Sequence, residues 1–475
     1  MSRPSTPRCS IAAALIALAA VAVGCCGDSP PPPTPKAQPA RKPMTTPPAV
    51  IGPAKERPTW PKANVLLISI DTLRADHVGC YGYKRPTTPN IDALCAESLR
   101  FETAVAHAPA TAMSHGSMLT SLLPPHHGAS VMRRHAIPER VETLAETLKA
   151  AGWSTASYNG GGQIKALFGF AQGFDVYKSA QDDFSVPVSD AIAWLEGNTE
   201  QKFFMFLHTY QIHHPYEPKA EDMAVFDADY TGPLKDHIPV ELLVEVNEGR
   251  KAITDADRQH IVNAYDAELL AVDRELGRLF KHLKEAGRYD DTLIVVTSDH
   301  GEEFGEHGRV GWHSHSLYDE LLKVPLLMKL PGGALSGETW TEQVRLIDLP
   351  PTVLGMVGVK APEAYMGVDL RAHHALAEKP MLFSFAERDE VEAKPLQAVR
   401  AEKWKLLGRA LFDLKGDPGE SKDVAPANQR RWAVLMALRD ELLKSRPIPR
   451  EERRDGVELD DETRDTLKSL GYIDE

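Results

Sequence analysis

The chain has 475 residues, of which 43% are hydrophobic, and a formal net charge of −13 at pH 7. A chain of this length can form one large α/β domain with a smaller appendage, or two or three domains. The negative charge argues against a general nucleic-acid-binding protein, whose surface has to be basic. It is compatible with an anionic substrate, because a bound metal ion can supply positive charge locally.

The N-terminal region has the pattern of a bacterial secretory signal. Two arginines precede an apolar run at 11–23, which falls short of the roughly twenty residues that a membrane span needs. Residues 22–25 resemble a lipoprotein box, in which the cysteine is diacylated and becomes the new N-terminus. Cys25 is therefore the predicted lipidation site, with Cys26 as the fallback acceptor. The alternative is an ordinary cleaved signal.

We predict four regions along the chain: a signal peptide at 1–24, a proline-rich disordered tether at 25–62, a catalytic α/β domain at 63–386 and a C-terminal subdomain at 387–475. A segment dense in proline cannot build a core and gives an extended, semi-rigid spacer. The signal and Cys25 predict an exported protein that is lipid-anchored to the bacterial cell envelope, at the outer membrane or the periplasmic face.

Two of the five cysteines, Cys80 and Cys95, lie in the body of the chain. They can form one disulfide or remain two buried thiols, and both alternatives stay open. The paired-cysteine spacing that marks a zinc site does not occur.

The body of the chain alternates apolar runs with helical patterns. Buried parallel strands favour short apolar runs rich in β-branched residues. Such runs occur at 64–70, 203–207, 293–297 and 324–330, and helical patterns cover 141–151 and 261–283. This order predicts a doubly wound, mostly parallel α/β sheet flanked by helices, with its ligand beyond the carboxyl ends of the strands.

The last part of the chain has a different pattern. Short strands of a hairpin are expected within 398–407 and 410–414, followed by a turn at 416–419 and a helix at about 427–443. These elements predict a small α+β subdomain at the C-terminal end.

Polar side chains directly follow two of the predicted strands. Asp71 comes after the first strand, and Asp299 and His300 come after another. Two carboxylates and an imidazole at the carboxyl ends of parallel strands predict a divalent-metal site. Each residue taken alone could instead cap the loop or helix that follows it.

Thr111 lies just before a stretch with helical periodicity that begins at Ser114. A helix N-terminus has free N–H groups and a positive dipole end, which suit an anionic ester oxygen. A threonine hydroxyl becomes a competent nucleophile when a metal ion lowers its pKa. The alternative role for Thr111 is that of a helix N-cap.

Several blocks of the chain resemble the sulfatase family of the alkaline-phosphatase superfamily, and they occur in the order that the family has. The blocks lie at 64–83, 88–94, 119–128, 143–149, 265–273, 299–308, 318–326 and 411–420. The resemblance implies a metal-dependent ester hydrolase, by family a sulfuric ester hydrolase, with one divalent ion (Ca²⁺, Mn²⁺ or Zn²⁺). The ion's implied ligands are Asp71, Asp299, His300 and Thr111.

The same resemblance implies roles for several histidines. His213 is in register with a family histidine that binds substrate or protonates the leaving group. His313 or His315 stands where the family places a residue that contacts the transferred group. His115 and His208 are further candidates for substrate binding. The alternative for each is a structural or surface histidine.

The departures from the family pattern bear on the mechanism. Thr111 replaces the cysteine that active sulfatases oxidise to formylglycine, and His115 replaces the arginine of the same motif. Threonine cannot form that aldehyde, so no formylglycine is expected. Thr72 replaces a second aspartate, and residues 158–162 lack the family's Gly-Lys-x-His block. Some relatives, including phosphoethanolamine transferases and lipoteichoic-acid synthases, use a threonine nucleophile, which favours phosphoester cleavage or transfer at Thr111.

Two other functions fit parts of the pattern. A non-catalytic surface protein could bind sulfated or phosphorylated glycans, although Asp71, Asp299 and His300 argue against it. An envelope phosphotransferase would suit a lipid anchor, but such relatives usually carry several transmembrane helices. The expected partners are an anionic ester, as part of a glycan or a lipid, and the membrane through the anchor, without nucleic acid.

Overall fold

The structure is a computed structural model. It describes residues 58–180, 183–199, 201–235, 238–374, 383–388, 396–401, 403–444, 456–470 and 472. These residues belong to one compact unit. The predicted signal peptide, Cys25 and most of the predicted tether lie outside the described residues.

The strands of the described residues are β1 Asn64–Ile70, β2 Leu99–Val105, β3 Ser154–Asn159, β4 Val176–Ser179, β5 Phe203–Thr209, β6 Thr292–Thr297, β7 Glu303–Phe304, β8 Val310–Trp312, β9 Lys323–Lys329, β10 Thr339–Trp340, β11 Val344–Arg345, β12 Phe383–Glu387, β13 Gln397–Ala401, β14 Trp404–Leu407 and β15 Ala410–Asp413.

The α-helices of the same residues are α1 Pro89–Ala96, α2 Thr111–Thr120, α3 Pro124–His127, α4 Leu144–Ala150, α5 Ser185–Gly197, α6 Ala220–Asp227, α7 Val240–Asn247, α8 Asp255–Glu285, α9 Asp319–Leu322, α10 Leu349–Met356, α11 Leu370–His374, α12 Gln429–Lys444 and α13 Asp461–Ser469.

A large mixed sheet forms the centre of the molecule, with the strand order β10-β2-β9-β6-β1-β5-β3-β4 and β11 beside β2. The central strands β6, β1, β5, β3 and β4 run parallel to one another. β9 runs antiparallel to both β2 and β6. The predicted mostly parallel α/β fold is therefore confirmed, with β9 as an antiparallel strand within it.

The sheet has a hydrophobic core on each face, as a doubly wound fold requires. β1 is buried along its whole length. Val65 and Leu67 pack into the core on one face, and Leu66 and Ile68 pack into the other. Because successive side chains of a strand point to opposite faces, a continuous apolar run is what such a central strand needs.

The two helices predicted between the strands, at 141–151 and 261–283, are present as α4 and α8. α4 begins after Thr143, whose side chain forms a capping box with Glu146. α8 begins earlier than its apolar pattern indicates, because Thr254 and Asp257 form a second capping box at its N-terminus. Capping boxes satisfy the free N–H groups of the first helical turn and so set the start of a helix.

The C-terminal part contains the predicted hairpin within an antiparallel sheet of the order β12-β13-β14-β15. α12 packs on this sheet through Leu435. Lys405 is buried and forms ion pairs with Asp319 and Glu420, which joins the small sheet to the segment before β9. The last helix, α13, leaves this subdomain, since Leu467 is fully buried in the main core.

Two further features concern the sequence predictions. Cys80 and Cys95 are free thiols in the structure. Among the described residues, we find no helix whose length and apolar character suit a membrane crossing.

Candidate active site

The first group of predicted site residues meets at the carboxyl ends of two adjacent strands. Asp71 follows β1, and Asp299 and His300 follow β6, its hydrogen-bonded neighbour. All three side chains are fully buried. Thr72, directly after Asp71, has a φ of 58°, a left-handed conformation that is strained for a β-branched residue. Its hydroxyl donates to the carbonyl of Ile212 at 3.2 Å, which helps to hold this turn.

These three residues present free ligand atoms to one another. Asp71 Oδ1, Asp299 Oδ2 and His300 Nε2 are buried without a hydrogen-bond partner and belong to a group whose ligand atoms lie within 4.8 Å of one another. His300 Nδ1 donates to the carbonyl of Gly301 at 2.9 Å, so Nε2 keeps its lone pair. Buried polar atoms without partners are costly. The two carboxylates and the imidazole therefore fit a divalent ion such as Zn²⁺ or Mn²⁺.

The pKa shifts of these three residues also favour a bound cation. Burial raises the pKa of Asp71 to about 6, against the opposing effect of His300. Burial also raises the pKa of Asp299, and the nearby Asp71 carboxylate adds to the shift. Burial would lower the pKa of His300, but the two carboxylates raise it. Two buried like charges repel, and a bound cation would offset that repulsion.

Thr111 is the first residue of α2 and is fully buried. The preceding Ala110 is extended, so the helix starts at this threonine with its first N–H groups free of intrahelical partners. Ser114, one turn later, donates to the carbonyl of Asp299 at 2.6 Å and so fixes α2 against the metal ligands. The Thr111 hydroxyl acts on the Asp71 carboxylate, where it opposes the rise in pKa that burial causes. The structure thus brings together all four residues predicted as metal ligands.

His213 and His313 are linked to the Thr111 hydroxyl through the hydroxyl of Tyr472. Both histidines are 2% exposed. His213 Nδ1 donates to the carbonyl of His214, and His313 Nδ1 donates to Glu302 Oε1 at 3.2 Å. Both Nε2 atoms therefore carry lone pairs. Burial lowers the pKa of His213 well below its usual value and that of His313 to about 3, so both rings are neutral. Together with His214 they form a second group of close ligand atoms.

The hydroxyl of Tyr472 is the point where these groups converge. It lies 2.7 Å from His213 Nε2, 3.1 Å from His313 Nε2 and 3.3 Å from Thr111 Oγ1. Burial raises the pKa of Tyr472 well above 10, so the phenol keeps its proton. A phenol has one proton to donate, and two imidazole lone pairs face it.

His115 and His208, the predicted substrate-binding residues, lie fully buried beneath the metal ligands. His208 Nε2 donates to Asp71 Oδ2 at 3.3 Å, while its Nδ1 accepts from Gly160. His115 Nε2 accepts from Ser69 at 2.9 Å, and its Nδ1 lies 3.4 Å from Asp299 Oδ2. Both rings hold the carboxylates in place, as supporting residues of metal sites do.

His315 has different surroundings from His313. Its ring stacks on Trp312 with centroids 6.1 Å apart, and its carbonyl accepts from Arg388. Ser314, between the two histidines, has a φ of 71°. Because of this turn, the side chains of His313 and His315 have different neighbours. The contacts of the described residues therefore join His313, and not His315, to the hydroxyl of Tyr472.

Three residues of the site were not predicted. Tyr472 has no local sequence signal, because its partner Thr111 is 361 positions away. Burial raises the pKa of Tyr210 well above 10, and the Thr111 hydroxyl acts in the opposite direction. Tyr210 lies directly after β5, a position that could have indicated a ligand-binding role. Glu302 falls inside the 299–308 block. Burial would raise the pKa of Glu302, but His313 and His214 lower it to about 2, so it stays ionised.

Comparisons with known proteins identify the family and the fold. A family model described as Sulfatase matches residues 63–359. A second, described as N-sulphoglucosamine sulphohydrolase, C-terminal, matches residues 305–447. The multifunctional alkaline phosphatase superfamily protein PehA of Trinickia caryophylli is 27% identical, over 77% of this chain and 91% of its own.

Two solved structures share the fold. BT4656, in complex with its substrate D-glucosamine-2-N,6-O-disulfate, has a TM-score of 0.68 at 21% identity, over 81% of this chain and 98% of its own. The phosphonate monoester hydrolase of Agrobacterium radiobacter has a TM-score of 0.66 at 21% identity, over 80% of this chain and 95% of its own.

Proposed function

Since the chain belongs to the sulfatase family and is a hydrolase of sulfuric or phosphoric esters, we propose that it cleaves phosphoric esters with Thr111 as the nucleophile. The observation that carries the proposal is the position of Thr111. Its hydroxyl lies at the start of α2, opposes the rise in the pKa of the Asp71 carboxylate, and contacts the Tyr472 hydroxyl, which the Nε2 atoms of two neutral imidazoles also contact.

The residue type at position 111 favours phosphorus over sulfur. A threonine side chain cannot be oxidised to an aldehyde, so the release of sulfate from a hydrated aldehyde is closed to this chain. A threonine hydroxyl can form a covalent ester with a phosphoryl group, which water then hydrolyses in a second displacement. The likeness to a phosphonate monoester hydrolase concerns the fold alone, and it is compatible with such a substrate.

Each step of the proposed reaction can be assigned to residues of the chain. Thr111 Oγ1 forms a bond to phosphorus while the bond from phosphorus to the ester oxygen breaks. The proton of Thr111 passes to the lone pair of His213 or His313 and from there to solvent, while the departing alcohol takes a proton from water on the opposite side of the phosphorus atom. Water then attacks the phosphoryl-threonine and breaks the bond from phosphorus to Thr111 Oγ1, so that phosphate is released and a proton of the attacking water restores the Thr111 hydroxyl. Neutral imidazoles suit this exchange because they can accept a proton before they donate it.

Asp71, Asp299, His300 and the Thr111 hydroxyl would hold the metal ion. When bound, the ion supplies Lewis-acid stabilisation of the phosphoryl oxygens and lowers the pKa of the Thr111 hydroxyl. The N-terminal end of the α2 dipole adds partial positive charge beside the same anionic group. His115 and His208 keep the two carboxylates oriented toward this position.

A panel of esters tests the proposal. The full chain, supplied with Mn²⁺, Zn²⁺ or Ca²⁺, is assayed with p-nitrophenyl phosphate, bis(p-nitrophenyl) phosphate, a phosphonate monoester and p-nitrophenyl sulfate. We expect turnover of a phosphoric ester that falls by about a thousandfold or more in Thr111→Ala, with partial activity in Thr111→Ser. Turnover of the sulfate ester alone, or turnover that survives Thr111→Ala, would contradict the proposal.

A further inference from the structure

The proposed nucleophile is inaccessible in this structure. Thr111 has no exposed surface, and neither do Asp71, Asp299 and His300. A cavity of about 440 Å³ reaches His213, but Thr111 is not among the residues that line it. An ester from solvent therefore cannot reach Thr111 Oγ1 unless part of the protein moves.

Tyr472 occupies the space in front of the nucleophile. Its hydroxyl is in hydrogen-bond range of Thr111, His213 and His313. Before in-line attack, the phosphorus atom has to lie about 3 Å from the attacking oxygen, with its own oxygens around it. The distance of 3.3 Å between the hydroxyls of Thr111 and Tyr472 leaves no room for a phosphoryl group between them. A phosphoryl group that contacts Thr111 together with the Nε2 atoms of His213 and His313 would therefore take the place of the Tyr472 hydroxyl.

The segment that carries Tyr472 also closes the cavity beside the site. Leu470 and Ser469 line the cavity together with Tyr210, His213 and His214. The outward displacement of Leu470 and Tyr472 would join this cavity to Thr111. The cavity would then give an ester a path from solvent to the nucleophile.

α13 is anchored to the body of the protein through the buried side chains of Thr463, Thr466 and Leu467, and Leu470 and Tyr472 follow at its C-terminal end. α13 starts at the N-cap Asp460 and packs inward through Leu467, which is fully buried. On its outer side Glu462, whose side chain is 84% exposed, pairs with Lys165. The backbone N–H of Tyr472 bonds to the carbonyl of Leu467 within the segment itself. Leu470 and Tyr472 can therefore leave the site while α13 keeps its own hydrogen bonds.

We propose that Leu470 and Tyr472, at the C-terminal end of α13, form a gate on the active site, and that the Tyr472 hydroxyl is an internal ligand which an anionic ester must displace. The proposal rests on the proposed function for the identity of the site. It adds that the closed form shown here is autoinhibited and that substrate competes with the chain's own tyrosine. A gate that is closed in about nine of ten molecules raises the apparent KM about tenfold.

Kinetics of full-length variants test the gate. Tyr472→Ala should lower KM about tenfold with kcat unchanged or higher, and Tyr472→Phe, which keeps the ring, should have an intermediate effect. Lys468→Ala, an exposed position on the same helix, is the matched control and should match the wild type. A fall in kcat with an unchanged KM in both Tyr472 variants would overturn the gate, since it would make Tyr472 a contributor to the chemistry.

A second measurement needs no turnover. 3-Fluorotyrosine is incorporated at position 472 of the full-length, metal-loaded chain, and its ¹⁹F resonance is followed as inorganic phosphate is added. We expect a resonance with the shift of an exposed fluorotyrosine to grow at the expense of the buried one, also in Thr111→Ala. A buried resonance that stays unchanged up to saturating phosphate would overturn the gate. If the exposed resonance appears but no ester is turned over, the gate stands and the proposed function fails.

Discussion

The imidazole of His313 donates a hydrogen bond from Nδ1 to the buried carboxylate of Glu302, 3.2 Å away. The carboxylate fixes which ring nitrogen carries the proton, and it directs Nε2 toward the Thr111 hydroxyl's neighbour, Tyr472. The pair resembles the carboxylate–histidine arrangements that orient ligands and bases in other active sites. Glu302 thus determines which ring nitrogen of His313, a proposed catalytic base, carries the proton.

Glu302→Gln should therefore slow the reaction while the active site stays assembled. The amide can donate to His313 Nδ1 and favour the tautomer with its proton on Nε2, so we expect kcat to fall about 10- to 100-fold with KM little changed. Glu303→Gln is the matched control, because Glu303 contacts Ser316. Equal effects of the two substitutions on kcat would show that the contact between Glu302 and His313 has no special role.

The proposed metal site predicts how many divalent ions the purified protein contains. The wild-type chain should retain roughly one divalent ion after dialysis, measured by inductively coupled plasma mass spectrometry. Asp299→Asn removes a buried ligand charge and should abolish retention, whereas Asp76→Asn makes the same change at a carboxylate that pairs with Arg74 and should preserve it.

Thermal unfolding checks the same site independently. Ion binding at about 100 times Kd stabilises the folded chain by about 2.7 kcal/mol, so Tm should rise with added ion in the wild type and in Asp76→Asn. An equal rise in Asp299→Asn would place the ion elsewhere.

The proximity of Asp71, Asp299 and His300 could be predicted from the sequence, because Asp71 follows β1 and the other two follow β6. β1 and β6 are neighbours with carboxyl ends at the same edge, so Asp71 and Asp299 had to meet. The antiparallel direction of β9 could not be predicted, since a fully apolar run looks the same in either direction. The choice between His313 and His315 depended on the turn at Ser314. The position of Tyr472 at the site depends on the docking of α13, a tertiary contact that no local sequence pattern indicates.

Glu303 gives the chain a pH-dependent stability term. Burial raises its pKa to about 7, and the residue is 1% exposed. The folded form therefore keeps a proton that the unfolded form loses near the usual glutamate pKa of 4.5. Stability from this group is complete below that value and is lost as the pH rises to about 7, by at most about 3 kcal/mol.

Glu303→Gln should remove this term. Urea unfolding of both proteins between pH 4.5 and 7.5, at equal metal concentration, should show the variant gaining stability relative to the wild type as the pH rises. A stability difference that stays constant over this range would mean that the pKa of Glu303 is not raised.

Cys25, outside the described residues, is the proposed site of lipid attachment and would place the enzyme at the cell envelope. Cys25→Ser should release the protein from the membrane fraction or leave its signal uncleaved, and it should abolish labelling by an alkyne fatty acid. Cys26→Ser, one position further on, is the matched control. Unchanged processing and membrane association in the double variant Cys25→Ser/Cys26→Ser, which also lacks the fallback acceptor, would rule out a lipid anchor at this site.

The central claim is that Thr111 becomes covalently bound to the transferred group. Acid quenching of the wild-type enzyme during turnover of a phosphoric ester, followed by peptide mass spectrometry, tests this claim directly. The account predicts that one phosphoryl group is found on Thr111 at early times, formed no more slowly than kcat, and is absent from Thr111→Ala. A phosphoryl group on another residue, or steady turnover by Thr111→Ala, would contradict it.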